Sequence, residues 1–153
     1  MLAVVLAGCG GLDIPADLRT PSVIGVVEEV TELPDGGETY RLANGQTADV
    51  ASHKEILLGG EPIVGELLLL GSDPDGGQWV AGVSPSPHAN EPGCFWLPGT
   101  GRDANDSIET TGGLRLPKAT DFDPGLIRDG QYTSPQGHFC LNGNGEVTGY
   151  VFA

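Results

Sequence analysis

The chain has 153 residues, enough for one domain with an ordinary core, and its 21 acidic and 7 basic residues leave a formal charge of −14. Lys and Arg nowhere form a run, so the electrostatic footprint of a nucleic-acid binder is missing and an anionic partner would be repelled; the composition points to a neutral, cationic or metal-ion partner. Its 25 glycines and 12 prolines, set among short runs of Val, Leu and Ile, describe a turn-rich globular chain rather than a disordered one.

In chain order the first element is the apolar run Met1–Ala7, much shorter than the roughly 20 residues a membrane-spanning helix needs. It reads as the end of a secretory signal. Its tail Leu6-Ala7-Gly8-Cys9 resembles the lipobox of bacterial lipoproteins, although the basic residue with which such a signal opens is not present before Cys9. The resemblance implies that the chain is cut before Cys9, that the Cys9 thiol carries a diacylglyceryl group, and that the protein is exported and anchored to the cell membrane with its domain outside the cytoplasm. Gly10-Gly11 and the polar stretch to Thr20 then fit a flexible tether over 9–20, after a signal remnant over 1–8. Two or three acyl chains, at about 0.8 kcal/mol per buried methylene, hold such a protein stably where one would not.

Once Cys9 is assigned to lipid, Cys94 and Cys140 remain as an even pair in an exported protein. A disulfide between them would contribute roughly 4 kcal/mol by the loop-closure relation. A second reading stays open, since Cys94-Phe95-Trp96 resembles the aromatic-flanked cysteine of papain-like proteases and His138 could serve as its base.

Residues 22–31 are rich in β-branched side chains and predict a strand, with Pro34-Asp35-Gly36-Gly37 turning the chain back. Tyr40 and Leu42, then Asn44-Gly45, then Ala48 and Val50 form the strongest hairpin signal in the sequence. Residues 52–58 read as a short helical turn or an extended link, the helix being favoured. The apolar run 63–70, the turn Asp73-Pro74-Asp75-Gly76-Gly77 and residues 78–83 read as a buried hairpin. The two Pro-Asp-Gly-Gly turns look like one local solution used twice. Residues 84–92 are loop or linker, a place where the domain 21–153 could divide into two subdomains. Short strands follow at 94–97, 108–111, 114–116, 138–141 and 147–152, the last two joined by Asn142-Gly143-Asn144-Gly145, while 121–136 reads as a long loop. The sum is an all-β fold, a small barrel or sandwich of about eight to ten short strands, whose first half has the strand count of an OB-like or SH3-like barrel.

Leu97-Pro98-Gly99-Thr100-Gly101 matches the letters of a sortase signal, but fifty polar and strand-forming residues follow it, so it reads as a loop. Asp73 with Asp75 and Asp121 with Asp123 are spaced as calcium ligands can be, yet neither pair completes an EF-hand loop, and Asp in Gly-rich turns is ordinarily there for turn geometry. His53, His88 and His138 share no zinc-ligand spacing. Tyr40, Trp79, Phe95 and Trp96 could line a ligand patch, although burial is the ordinary fate of aromatic residues in an all-β core. No cofactor motif is present. The leading expectation is a lipid-anchored envelope protein whose all-β domain binds or scaffolds. Its rivals are an envelope hydrolase using His138 or an Asp of the 121–129 loop, and a calcium-stabilised surface module.

Overall fold

The computed structural model describes residues 13–57, 60–87, 94–123, 130–133 and 136–152. Among these the chain forms thirteen strands and no helix, arranged as two sheets in an all-β, sandwich-like fold. The first sheet contains β1 (Val23–Glu32), β2 (Glu38–Leu42), β3 (Thr47–Val50), β4 (Glu55–Ile56), β5 (Leu67–Ser72) and β6 (Gln78–Val83), in the order β3-β2-β1-β5-β6-β4. The second contains β7 (Phe95–Pro98), β8 (Gly101–Asp103), β9 (Ser107–Thr110), β10 (Arg115–Asp123), β11 (Gln131–Tyr132), β12 (Gly137–Leu141) and β13 (Val147–Phe152), in the order β11-β8-β9-β10-β13-β12-β7. Both are mixed, because β4 runs parallel to β6 and β10 parallel to β13.

Four hairpins share one turn. In Leu33–Gly37, Leu42–Gln46, Asp73–Gly77 and Asn142–Glu146 the first residue's N–H donates to the fifth residue's carbonyl, and the fourth residue's N–H donates back to the first carbonyl. The fourth residue is glycine each time (Gly36, Gly45, Gly76, Gly145) with φ between 76° and 92°, the left-handed conformation that closes a type I turn with a bulge. Asp35, Asn44, Asp75 and Asn142 each accept a backbone N–H two residues on, so these side chains are chosen for turn geometry.

The first sheet folds over itself. Strand β1 pairs with β5 through residues 23–26 and with β2 through residues 27–32, with a register shift between Val27 and Glu29. Leu68, Leu70 and Val80 then meet Val27, Tyr40, Leu42 and Val50 on one side, while Leu67, Leu69, Trp79 and Ala81 face the second sheet. A strand buried on both faces has no polar alternation, which is why four consecutive leucines occupy β5. No backbone pairing joins β3 to β6, so the expected OB-like or SH3-like barrel is not closed. One side chain spans the seam: Gln78 Oε1 accepts from the Ala51 N–H at 2.7 Å and its Nε2 donates to the Asp49 carbonyl at 3.1 Å.

The larger core draws Leu67, Leu69, Trp79, Ala81 and Val83 from the first sheet and Leu97, Ile108, Leu116, Phe139, Leu141 and Val147 from the second. Tyr132, Phe139 and Tyr150 form an aromatic triangle in it, with ring centroids 4.7 to 5.3 Å apart. The segment ahead of β1 ties the sheets together: Arg19 bridges to Leu114 through its backbone N–H and carbonyl, and the Ser22 N–H donates to the Leu70 carbonyl. Arg19, within the expected tether, is thus held by backbone hydrogen bonds to the second sheet.

Several expectations need correction. Residues 52–58 hold no helical turn among their described members; a turn at Ser52–His53 leads into β4. The strand expected from Ile63 begins only at Leu67, because Glu66 turns the chain by accepting the Ile63 N–H on its carboxylate, leaving Ile63 and Val64 exposed. The expected loop 121–136 contains the end of β10 and the strand β11, whose Tyr132 is a core residue. The strand total exceeds eight to ten because β4, β8 and β11 are two or three residues long, too short to show a period. Residues 88–93, which hold most of the suggested subdomain boundary and His88, lie outside the described residues, as do Cys9 and residues 124–129.

Candidate functional site

The first cluster is set by the pairing of β7 with β12, which places Cys140 opposite Trp96 and His138 opposite Pro98. Phe139 and Leu141 point into the core, so His138 and Cys140, two residues apart, share the other face of β12. Cys94 reaches across to Cys140 and forms a disulfide with it, Cα atoms 5.1 Å apart and 46 residues apart in sequence. His138 is fully buried and meets Trp96 edge-on, ring centroids 4.5 Å apart. The link leaving β6 runs along the outer edge of β7, with the Ser86 N–H donating to the Cys94 carbonyl and the Trp96 N–H to the Ser84 carbonyl. Among the described residues, Cys94, His138 and Cys140 are the one group of three His, Cys, Asp or Glu side chains close enough together to hold a metal ion, their ligand atoms all within 4.8 Å of one another.

The second cluster crosses β8, β9 and β10. The register sets Arg102 opposite Glu109 and Glu109 opposite Arg115. Arg102 Nε donates to Glu109 Oε1 at 2.8 Å and Arg115 Nη2 to Oε2 at 2.9 Å. The hydrogen bond from Arg102, then that from Arg115, hold the Glu109 carboxyl below its ordinary pKa against the opposing effect of burial. Beside this trio two open clefts adjoin, of about 540 and 730 Å³, sharing Thr20 and Arg115 in their walls. Asp106 and Ser107 line the first and Asp73 the second, so the clefts present carboxylates, hydroxyls and two arginines, Arg115 and Arg19. Arg19, in the wall of the second, donates through Nη2 to both Glu55 oxygens at 3.0 and 3.2 Å.

A third cluster surrounds Lys54, whose Nζ lies 2.9 Å from Glu38 Oε1 and 2.5 Å from Glu61 Oε1. The hydrogen bond with Glu61 raises the lysine pKa despite burial, and Glu38 adds to it, so the ammonium is firmly charged. Tyr40, two residues from Glu38 on β2, is pushed up to about 12 by burial and by the two carboxylates.

The expected aromatic patch is not brought together. Tyr40 is buried in the fold of the first sheet and Trp79 in the core between the sheets, while Phe95 and Trp96 are neighbours on β7 that alternate across it. Asp73 pairs with Arg19 at 3.5 Å, and Asp75 accepts the Gly77 N–H within its turn; Asp121 and Asp123 lie at the end of β10. The Leu97–Gly101 stretch is the connection from β7 to β8. Sequence reasoning had no signal for Arg19, Arg102, Glu109 and Arg115, which only strand register makes neighbours. Comparison with known protein families, with curated proteins and with solved structures returns no match.

Proposed function

We propose that the protein is a lipid-anchored bacterial envelope protein, exported and held at the membrane through Cys9, whose all-β domain binds a neutral or cationic polar ligand and does not catalyse. The observation that carries this reading is the Cys94–Cys140 pairing, which belongs to an oxidising compartment and sets Cys9 apart from the other two cysteines. The cleft beside Glu109 supports the binding role, since its acidic and hydroxyl-bearing walls suit a chain of charge −14 that attracts cations. A binding or scaffolding role fits the way Glu109 and Lys54 are each committed to ion-pair partners.

The test is intact-mass analysis of the protein from the membrane fraction of an expressing bacterium. The mature chain should begin at Cys9 and carry the added mass of its acyl chains, and Cys9→Ser should move the protein out of that fraction. An unacylated mass, or a Cys9→Ser protein still in the membrane fraction, would overturn the reading.

A further inference from the structure

We infer that Cys94, Cys140 and His138 form a zinc(II) site that is available when the disulfide is reduced and closed when it is oxidised. The three side chains come from one register: Cys140 and His138 share a face of β12, and Cys94 approaches that face from the start of β7. Their ligand atoms lie within 4.8 Å of one another. A tetrahedral zinc ion with Zn–S near 2.3 Å and Zn–N near 2.0 Å needs its donors about 3.5 to 3.8 Å apart. The imidazole therefore has to move by about 1 Å, and the two sulfurs, once unbonded, have to separate by about 1.7 Å, which rotation about their Cα–Cβ bonds can supply.

Charge and burial favour the same ion. His138 is fully buried, and Cys140 and Cys94 are only 7 % and 9 % exposed, so all three donors sit in a nearly dry enclosure. Two thiolates cancel the charge of a divalent ion, and a neutral assembly is what a dry enclosure tolerates. The Trp96 ring against His138 limits how the imidazole can turn. Three protein donors leave one tetrahedral position for water or another ligand.

The two states exclude each other chemically. A dithiol reductant supplies two electrons and two protons, converting the disulfide to two thiols while it becomes a disulfide itself. Zinc then displaces the two thiol protons. Disulfide sulfurs carry no thiolate charge, so the oxidised form offers only the imidazole.

The experiment uses the full chain with Cys9→Ser, so that Cys94 and Cys140 are its only thiols, and cobalt(II) as the reporter ion for zinc. Reduced anaerobically, the chain should bind one equivalent of cobalt with thiolate-to-cobalt charge transfer and tetrahedral ligand-field bands, and zinc should displace it. The oxidised chain should show neither band, and reoxidation with diamide should release the metal. His138→Ala should weaken binding about tenfold or more. Zinc-edge X-ray absorption on the reduced Cys9→Ser chain checks the histidine without altering it: two sulfurs and an imidazole are expected. Absence of charge transfer, equal binding by the oxidised chain, a zinc shell without imidazole, or a reduced chain that loses its β circular dichroism and does not regain it with metal would each overturn the inference. None of these outcomes depends on whether Cys9 is acylated.

Discussion

Replacing Glu109 by glutamine keeps the shape of a buried side chain and removes its charge, so it isolates what the two flanking arginines contribute. The Glu109 side chain is 8 % exposed, whereas those of Arg102 and Arg115 are 51 % and 49 % exposed. Breaking a fully buried ion pair costs several kcal/mol because the abandoned charge cannot be hydrated. Here both arginines can return to water, so the loss is the net value of the charge-assisted bonds, discounted for solvent, about 2 kcal/mol. For a chain of this length that is a fall in Tm of about 6 °C at pH 7. The pH dependence identifies the cause. Glu109 has a folded pKa below its ordinary value of 4.5, so its contribution is present above that pH and is lost as the pH falls through the folded value. The gap between wild type and Glu109→Gln, read from thermal unfolding by circular dichroism, should be full at pH 7 and shrink steadily below pH 4.5. Taking the gap cancels the effect of the other carboxylates, which the two proteins share. A gap that does not change with pH would mean that Glu109 acts through shape, and no gap at pH 7 would mean that the arginine pairs contribute nothing.

Three further outcomes follow from the geometry. Reducing Cys94–Cys140 in the absence of metal should lower stability by about 4 kcal/mol for its separation of 46 residues. In a thermal melt that is about 12 °C; a shift under about 3 °C would reject the loop-closure account. Tyr40 is favoured in its neutral form up to a folded pKa of about 12, so its contribution is present below pH 10 and lost as the pH rises towards 12. Between those values wild type should therefore lose about 3 kcal/mol relative to Tyr40→Phe, measured by urea unfolding, and parallel curves would refute it. Gly71 lies beneath the Trp79 indole, where a β-carbon would collide with the ring, so Gly71→Ala should cost about 2 kcal/mol and alter tryptophan fluorescence. Unchanged emission with a wild-type melt would show that the indole moves aside freely.

The fold was legible where a residue's role is settled within a few positions. Each shared turn carries its own cause, a side chain that accepts a nearby N–H and a glycine that takes a positive φ, and the hairpins follow from them. The run Leu67–Leu70 announced burial and correctly became a strand. It hid the opposite destinations of its odd and even leucines, because a run without polar residues carries no phase. The start of that strand was misplaced for a related reason. Ile63 and Val64 are as apolar as the leucines, and their exposure follows from a turn fixed by the Glu66 carboxylate rather than from their own chemistry.

The candidate sites were harder to read because each is a product of register. Glu109 is seven residues from Arg102 and six from Arg115, spacings that mean nothing until β8, β9 and β10 align and set the three in a row. One residue of slip would send Glu109 to the core face, where a carboxylate has no partner, and bring Ile108 outside. The Arg102–Glu109–Arg115 row therefore rewards the register that builds it and penalises its neighbours. The same logic governs Cys94, His138 and Cys140. The pairing of β7 with β12 decides whether the sulfurs meet, and the disulfide then holds the pairing that positions His138. Cysteine arithmetic could name the two partners and the sequence could offer His138 as a base for Cys94, but only the register shows the imidazole close to both sulfurs. In a chain this acidic, whose positive charges are few, polar groups of opposite character are brought together by strand alignment, so chemistry that looks dispersed along the sequence is concentrated by the same hydrogen-bond ladders that fix the fold.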